Sequence, residues 1–478
     1  MNRVRTSDRA SAGTARGAGL AGAAFLCAAA LASRSLAAPA AVSTPKTPVP
    51  ATAPAAAPAA AQAIYVRAGV LIDGTGAAPR KDAGIVIIGG RIASVGPWSS
   101  AQPPQGARIV DLSSDTVLPG FIDCHVHLTM EVGKGWEVEA IRTTPSDAAI
   151  LGTVNALRTL RAGFTTVRNV GDRGGESVAL RNAIDRGLVP GPRMLTAREM
   201  LSITGGHGDF SDGFRPGLTL GGAEPLGNGI CDSPDACRAA VRYQVKYGAD
   251  LIKISATGGV LSPGDEIGAR QFSDGELAAI VEEAHMLGRK VAAHAHGTAG
   301  IKAAVRAGVD SIEHGSILDD EAIALMKEHG TFLVPTLLAG ETVDARARAG
   351  TLPEFAVAKA LKVRPLMQGS FKKAVAAGVK IAFGTDSSVS PHGQNAREFS
   401  LMVHAGMAPM DAIVAATRNA AELLGRSADV GTIETGRFAD LVAVHGDPLK
   451  EIAVLETPVA VLQAGLAVDL GAALPTDR

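Results

Sequence analysis

The stretch "GFIDCHVHL", residues 120–128, is the first of eight apolar runs that decide the fold. It places two histidines at a point where a buried strand normally carries Val, Ile or Leu. Residues i and i+2 of a strand point to the same face, so His125 and His127 point the same way. The pair alone leaves two interpretations open, a metal site or two buried core histidines with satisfied hydrogen bonds.

Seven further apolar runs follow along the chain. They are "GFTTVRNVG", "RMLTARE", "DLIKISATGG", "KVAAHAHG", "SIEHGS", "FLVPTL" and "IAFGTDSS". Amphipathic stretches with Ser or Asp caps and Gly stops lie between most of them, which predicts alternating strands and helices. Eight such units predict an α/β protein with a TIM-type (β/α)8 barrel over residues 119–424. A doubly wound sheet stays open, although no G-x-G-x-x-G opens a helix after the first strand.

The segments on either side of the predicted barrel have a different pattern. Residues 64–118 and 425–478 alternate apolar and polar positions, with turn signals and without helical stretches. We interpret them as two parts of one small β-sandwich built from both ends of the chain. The barrel is then an insertion between these parts.

The first 63 residues do not read as part of the fold. Residues 1–38 run from a basic, polar segment through a short apolar core to a small-residue cleavage site, which predicts a signal peptide. A buried helix is the alternative; the apolar core is too short for a membrane span, which needs about 20 residues. Residues 39–63 are rich in Ala and Pro and predict a linker. We therefore expect an exported protein, periplasmic or secreted.

The net charge argues against one class of partner, and the cysteines bear on the redox compartment. The formal net charge over 478 residues is −1, so the electrostatic footprint of a nucleic-acid-binding protein is missing. Cys231 and Cys237 could form a disulfide in an oxidising compartment or remain two thiols. Cys124, next to the histidine pair, is expected to be a small buried residue.

Other ionisable residues lie at the ends of the later predicted strands. These are Lys253 on the fourth strand, His294 and His296 on the fifth, His314 on the sixth and Asp386 on the eighth. The C-terminal strand ends of a TIM-type barrel form its active-site face. Burying so many unpaired groups there would cost several kcal/mol each, roughly, unless a divalent cation binds them. Nitrogen and oxygen donors suit zinc, with manganese, cobalt or iron also possible.

Lys253 does not fit a simple ligand set, because an ammonium group is repelled by a metal ion. One interpretation is an ion pair with a nearby carboxylate. The other is a lysine carboxylated by carbon dioxide to an anionic carbamate that bridges two metals. Spacing along the sequence does not decide between them.

Taken together, the motifs resemble those of the amidohydrolase superfamily over residues 64–470. The matching pieces are "GFIDCHVHL", "LIKISATGG", "AHAHG", "SIEHG" and "GTDSS". "TGGHGD" and "IKAAVRAGVDSIEHGS" resemble the prolidase-like branch, which includes Xaa-Pro dipeptidases and enzymes that cleave the amide of ochratoxin. The resemblance implies one metal on His125, His127 and Asp386, a second on His294 and His314, and carboxylated Lys253 as the bridge.

The resemblance also implies substrate contacts. His296 is assigned to the substrate and His294 to the metal, and the reverse assignment stays open. His207, in a Gly-rich loop, is assigned as a substrate contact, with a plain loop histidine as the alternative. Residues 257–268 resemble a substrate-lining loop or lid, with Val260 and Leu261 at the substrate. Asn169 stands where relatives often have Asp, which leaves any role of that position in doubt.

These features predict a binuclear metal-dependent amide hydrolase. A metal-bound hydroxide would attack the amide of a dipeptide or N-acyl amino acid, with Asp386 as general acid and base, and would release the C-terminal amino acid. A positive residue should bind the substrate carboxylate, but none is assigned. The alternatives are a cyclic-amide hydrolase or deaminase on the same fold, and a non-catalytic barrel. The partner is a small molecule, and the resemblance suggests a homo-oligomer.

Overall fold

The computed structural model describes residues 63–100, 103–215 and 228–471. The predicted signal peptide and all but the last residue of the predicted linker lie outside these residues. The strands in the described ranges are β1 Ile64–Leu71, β2 Arg80–Ile88, β3 Arg91–Pro97, β4 Arg108–Pro119, β5 Phe121–Val126, β6 Phe164–Asn169, β7 Arg193–Thr196, β8 Leu251–Ser255, β9 Lys290–Ala295, β10 Ser311–His314, β11 Phe332–Val334, β12 Leu441–His445, β13 Ala460–Gln463 and β14 Leu466–Ala467.

Helices separate most of the central strands. They are α1 Trp136–Arg142, α2 Pro145–Arg161, α3 Glu176–Asp185, α4 Pro234–Lys246, α5 Asp274–Met286, α6 Thr298–Ala307, α7 Asp320–His329, α8 Leu337–Arg348, α9 Glu354–Ala377, α10 Arg397–His404, α11 Pro409–Val414 and α12 Ala420–Leu423. A π-helical turn, Ala415–Asn419, joins α11 to α12, and a 3₁₀ helix spans Ile452–Glu456.

The strands from both ends of the described chain form one seven-stranded sheet. Its order is β14-β13-β12-β4-β1-β2-β3. Strand β4 pairs in parallel with β1 and antiparallel with β12, which joins the two ends. Fully buried residues such as Val66, Ile85 and Leu441 form its apolar core. The two ends therefore meet in one sheet, whereas a two-layered sandwich and the domain limits stay predictions.

The central strands pair in parallel, as the alternation with helices predicts. Strands β5, β6 and β7 form one sheet and β8 to β11 another. A parallel bridge between Leu201 and Ile254 connects the two sheets. This is a mixed α/β architecture in which the carboxyl ends of the parallel strands, where active sites of such folds lie, are on one side.

The eighth predicted strand is irregular. Residues 381–387 form no continuous ladder, and isolated bridges join Ile381 to Leu333 on β11 and Ser387 to Val126 on β5. Asp386 has a φ of 57° and therefore cannot continue an extended strand. The bridges nevertheless hold this run between β11 and β5, and a closed barrel of eight regular strands stays a prediction.

Local sequence signals define the helix ends. Thr144 and Ser273 each accept a hydrogen bond in a capping box, at the start of α2 and of α5. Gly308 and Gly378 end α6 and α9 in the left-handed conformation, which glycine adopts without steric cost. Within the described ranges, no helix combines the length and apolar character needed to cross a membrane.

Candidate metal centre and active site

The predicted metal ligands converge on one cavity of about 210 Å³. His125 lies on β5, Lys253 on β8, His294 on β9 and His314 at the end of β10, whereas His127 and Asp386 lie in the loops at the same ends. Six residues that are far apart in sequence therefore line one site, as expected for residues at the carboxyl ends of parallel strands.

The imidazoles of His125 and His127 face one carboxylate oxygen. Nδ1 of His125 lies 2.8 Å from Oε2 of Glu313, which can only accept a hydrogen. Nδ1 of His127 lies 3.1 Å from the carbonyl oxygen of Gly171. The two Nε2 atoms then carry lone pairs, and they lie 3.5 and 3.4 Å from Oδ1 of Asp386. When both rings are neutral, three acceptors meet here without a hydrogen between them, an arrangement that a cation stabilises.

Two further imidazoles complete the donor set. The rings of His294 and His314 lie 4.7 Å apart, and burial lowers the pKa of both well below 6.5, so both rings are neutral at neutral pH. Nδ1 of His314 lies 2.7 Å from Oγ1 of Thr336, which leaves Nε2 for a metal. Nε2 of His294 is buried and has no hydrogen-bond partner among the described residues. Donor atoms of His125, His314 and Asp386 lie within 4.8 Å of one another.

Lys253 is almost fully buried, with 2% of its surface exposed. Burial lowers the pKa of its amine to about 8, although the carboxylates of Glu313 and Asp386 act in the opposite direction. No described carboxylate lies within ion-pair distance of its amine. The simple ion-pair interpretation of Lys253 is therefore the weaker of the two.

Backbone strain is concentrated at this centre. His314, Thr336 and Asp386 have φ angles of 69°, 50° and 57°, which non-glycine residues rarely adopt. Such conformations cost roughly 1–3 kcal/mol each and persist where the surrounding structure enforces them, often at functional sites. Here the strained residues are two metal-ligand candidates, His314 and Asp386, and Thr336, which is the hydrogen-bond partner of His314.

Chemically, the donors fit divalent metal ions. The lining residues offer imidazole nitrogen and carboxylate oxygen and no thiolate, which suits zinc. The converging lone pairs and the unpartnered Nε2 of His294 are the observations on this chain that support the fit.

His207 and His296 line the same cavity beside the metal-ligand candidates. The ring of His207 stacks on that of His294 at 4.1 Å, and its Nδ1 lies 2.9 Å from Oγ of Ser262. Nδ1 of His296 lies 2.6 Å from Oγ of Ser316. Burial lowers the pKa of His207 to about 4 and that of His296 to about 3, so both rings are neutral at neutral pH.

The loop 257–268 also reaches the cavity, where Val260 and Leu261 line the wall. Lys359 on α9 ties this loop down. Its Nζ donates to a loop carbonyl at 2.8 Å and pairs with Oδ1 of Asp265 at 3.2 Å. Sequence patterns did not reveal this anchor, since Lys359 lies about 100 residues further along the chain in an unremarkable helix.

Most of the remaining wall is apolar. Its hydrophobic side chains include Met130, Val132, Trp136, Met200, Phe210, Phe214, Phe355, Val363, Met367 and Val389. A polar floor of metal-ligand candidates under mostly apolar walls is typical of a small-molecule site.

Comparison with known proteins agrees with this geometry. A model of the amidohydrolase family matches residues 116–466. The chain belongs to the amidohydrolase family. It is 37% identical over 416 residues to an ochratoxinase of Aspergillus niger, covering 83% of this chain and 84% of the relative.

Solved structures point to the same branch of this amidohydrolase family. A Xaa-Pro dipeptidase with methionine bound in its active site is 41% identical, with a TM-score of 0.81 over 85% of this chain and 99% of that one. A prolidase complexed with N-methylphosphonate-L-proline is 36% identical, with a TM-score of 0.77 over the same shares of 85% and 99%. The protein is a prolidase-like amidohydrolase with a TIM-barrel-like α/β fold, and it is a hydrolase acting on C–N bonds.

A buried ion pair that the sequence did not reveal lies beneath the metal-ligand candidates of this amidohydrolase. Arg168 on β6 donates from Nη2 to Oε1 of Glu313 at 2.8 Å, while the other oxygen of Glu313 meets His125. Arg168 is 2% exposed and Glu313 is fully buried. A charged residue in each of two buried central strands indicates that both charges need partners, but the sequence does not show that they meet across two different sheets.

Asn169 and Asp123 are structural in the folded chain. Oδ1 of Asn169 accepts from the backbone N–H of Leu128 at 2.7 Å, so the departure from Asp keeps a positioning contact beside His127. Asp123 accepts from Oγ1 of Thr385 at 2.6 Å, which holds the run that carries Asp386.

The cysteines in the described ranges are of two kinds, a bonded pair and a free thiol. Cys231 and Cys237 form a disulfide, and both are buried. Cys124 is a buried free thiol, and burial raises its pKa. The bridge closes the segment that leads into α4.

Proposed function

We propose that this amidohydrolase is a binuclear, metal-dependent enzyme that cleaves dipeptides or N-acyl amino acids and releases the C-terminal amino acid. The observation that carries this proposal is the meeting of the His125 and His127 lone pairs with Oδ1 of Asp386 beside a buried lysine. The similarity to the ochratoxinase and to the dipeptidases supports the substrate class.

His125, His127 and Asp386 would hold one metal, and His294 and His314 the second. Lys253 would bridge them as a carbamate formed with carbon dioxide. Its pKa of about 8 supports this, because an appreciable neutral fraction of the amine is available to react near neutral pH. Zinc suits the donors best. When bound, the two cations would lower the pKa of a water molecule towards about 7 and polarise the scissile carbonyl.

Asp386 moves the proton in this scheme. Burial raises its pKa, but the interactions of the carboxylate with His125, His127 and Lys253 outweigh this and hold the pKa below its usual range. The carboxylate is therefore an anion that can accept the proton of the attacking water at Oδ2. It then returns that proton to the leaving nitrogen, because an amide anion is a poor leaving group.

His207 and His296 orient the substrate beside the metals. Oγ of Ser262 donates to Asp265 at 2.7 Å, so it accepts from Nδ1 of His207 and leaves Nε2 as an acceptor in the cavity. That lone pair suits an N–H of the substrate. The apolar walls favour substrates with apolar or aromatic side chains, since burial of such groups contributes roughly 25 cal/mol per Å².

Hydrolysis of a panel of dipeptides and N-acyl amino acids, monitored by release of the free C-terminal amino acid, tests this function. Members with Phe, Met or Leu should be cleaved fastest, and chelation should abolish the activity. Cyclic amides and aminated nucleosides in the same panel test the alternative reactions. Cleavage of these alone would overturn the proposal.

We also propose that the protein is exported and self-associates. The disulfide between Cys231 and Cys237 supports export, because such bonds persist in oxidising compartments. Mass spectrometry of the protein from the native cell envelope or medium should show an N-terminus near residue 39. Light scattering of the purified protein gives the subunit number.

A further inference from the structure

A substrate with a free carboxylate needs a positive partner in the cavity. Among the described lining residues, the cationic side chains are Lys253, which sits between the metal-ligand candidates, and Arg173. Arg173 lies in the loop after β6, two residues beyond Gly171, whose carbonyl accepts from His127. Two residues span at most about 7 Å, so this loop keeps Arg173 within the reach of a dipeptide-sized substrate.

Among the residues that the structure describes, the guanidinium of Arg173 has no anionic partner. No hydrogen bond or ion pair joins it to any other residue in the described ranges, and its Nε is buried without a partner. The ring of Phe210 lies 4.7 Å from it and fixes its plane. Burial lowers the pKa of Arg173, since nothing nearby fully compensates its charge. A half-buried guanidinium without an anion lowers the stability of the folded state, unless a ligand supplies the missing negative charge and hydrogen-bond acceptors.

Glu176 is a neighbouring carboxyl whose charge acts on Arg173, and it is otherwise engaged. Its Oε1 accepts from the backbone N–H of Arg173 at 3.1 Å, and its Oε2 is buried without a partner. Burial and the neighbouring Asp172 raise the pKa of Glu176 to about 7, so it is only partly ionised at neutral pH. The guanidinium N–H groups of Arg173 are therefore available to an external anion.

We infer that Arg173 is the specificity-determining residue that binds the free carboxylate of the substrate. A planar guanidinium presents paired N–H groups that match the two oxygens of a carboxylate. The substrates are then N-acylated or peptide-linked amino acids with an unblocked C-terminus. This inference rests on the proposed function for its substrate class, but the binding that it describes is measurable without turnover.

Calorimetric binding of 3-phenylpropionate and 3-phenylpropionamide, neither of which carries the N-acyl bond that the proposed reaction cleaves, to the metal-loaded protein tests this role. The two probes differ only in the carboxylate. We expect the wild type to bind the acid at least about tenfold more tightly than the amide. Arg173→Gln should remove most of that preference, and Arg173→Lys should keep part of it. Arg306→Gln, on the outer surface where Arg306 pairs with Glu321, is the matched control and should keep it all.

The outcomes separate this inference from the proposed function. An acid-to-amide ratio that is the same in Arg173→Gln and the wild type would overturn the role, and it would assign the carboxylate to the metals or to another group. Equal binding of both probes by the wild type would also overturn it. Failure to hydrolyse any member of the panel, with the binding preference intact, would overturn the proposed function and leave the carboxylate site standing. Thermal melting and metal content confirm that each variant is folded and loaded.

Discussion

Oε2 of Glu313 lies 2.8 Å from Nδ1 of His125 and orients that imidazole from beneath the candidate metal centre. The same carboxylate neutralises Arg168 through its other oxygen. Hydrogen bonds of this kind fix the tautomer of a ligating histidine and the direction of its lone pair. The position of His125 thus depends on a buried ion pair that never touches the substrate.

Replacing Glu313 with Gln should destabilise the protein by about 3–5 kcal/mol, because Arg168 is left as an uncompensated buried charge. The double variant Arg168→Met/Glu313→Gln should recover part of this loss. Urea unfolding of the two single variants, the double variant and the wild type measures the coupling. Additive effects of the two substitutions would contradict the account of this pair.

Lys253→Ala should reduce both the metal content and the hydrolytic rate, since the bridging anion is lost. Acetate or propionate should restore part of each, because a short carboxylate can occupy the vacated position. Elemental analysis and rate measurements with and without acetate test this, with the wild type in acetate as the control. Two metals per chain and a full rate in Lys253→Ala would remove the bridging role.

Asp386→Asn should retain the fold and lose turnover by about 100- to 10,000-fold, the range typical of general acid–base residues. The amide keeps the shape of the side chain but cannot accept the proton. Steady-state kinetics on the best dipeptide, with metal content measured in parallel, separates loss of the base from loss of a ligand. A wild-type rate would exclude Asp386 from the mechanism.

Glu398 gives a pH dependence of stability. This fully buried carboxyl accepts from the backbone N–H groups of Leu337 and Leu338, and burial raises its pKa from 4.5 to about 8. Between those values the folded state holds a proton that the unfolded state has released, so the free energy of unfolding falls as the pH rises.

Glu398→Gln should therefore flatten this decline, by up to about 1.4 kcal/mol per pH unit, between about pH 5 and 8. Denaturant unfolding across that range measures the slope. The exposed Glu354→Gln on α9 is the control and should behave like the wild type. An unchanged slope in Glu398→Gln would show that this carboxyl is ionised in the folded protein.

The sequence predicted those parts of the site and fold where an ionisable or capping side chain interrupts a regular apolar pattern. Histidines such as His125 and His294 stand out because a buried strand otherwise carries apolar residues, and caps such as Ser273 mark helix starts. What stayed hidden depends on contacts across the fold. Lys359 reaches the loop 257–268 from a distant helix, and Arg173 stands out only once its lack of an anionic partner is visible.

The irregular eighth strand could not be predicted either. The run 381–387 has a strand-like composition, but the positive φ of Asp386 follows from its position in the site and not from its residue type. Asp123 and Thr385 hold this conformation through a buried hydrogen bond between residues 262 positions apart.

Titration of Zn²⁺ into the chelator-stripped protein, with hydrolysis of the best dipeptide recorded at each step, shows how many metal ions catalysis needs. We expect the rate to rise to a plateau at two metal ions per chain. A plateau at one ion per chain, or a rate independent of added metal, would contradict the binuclear amide hydrolase.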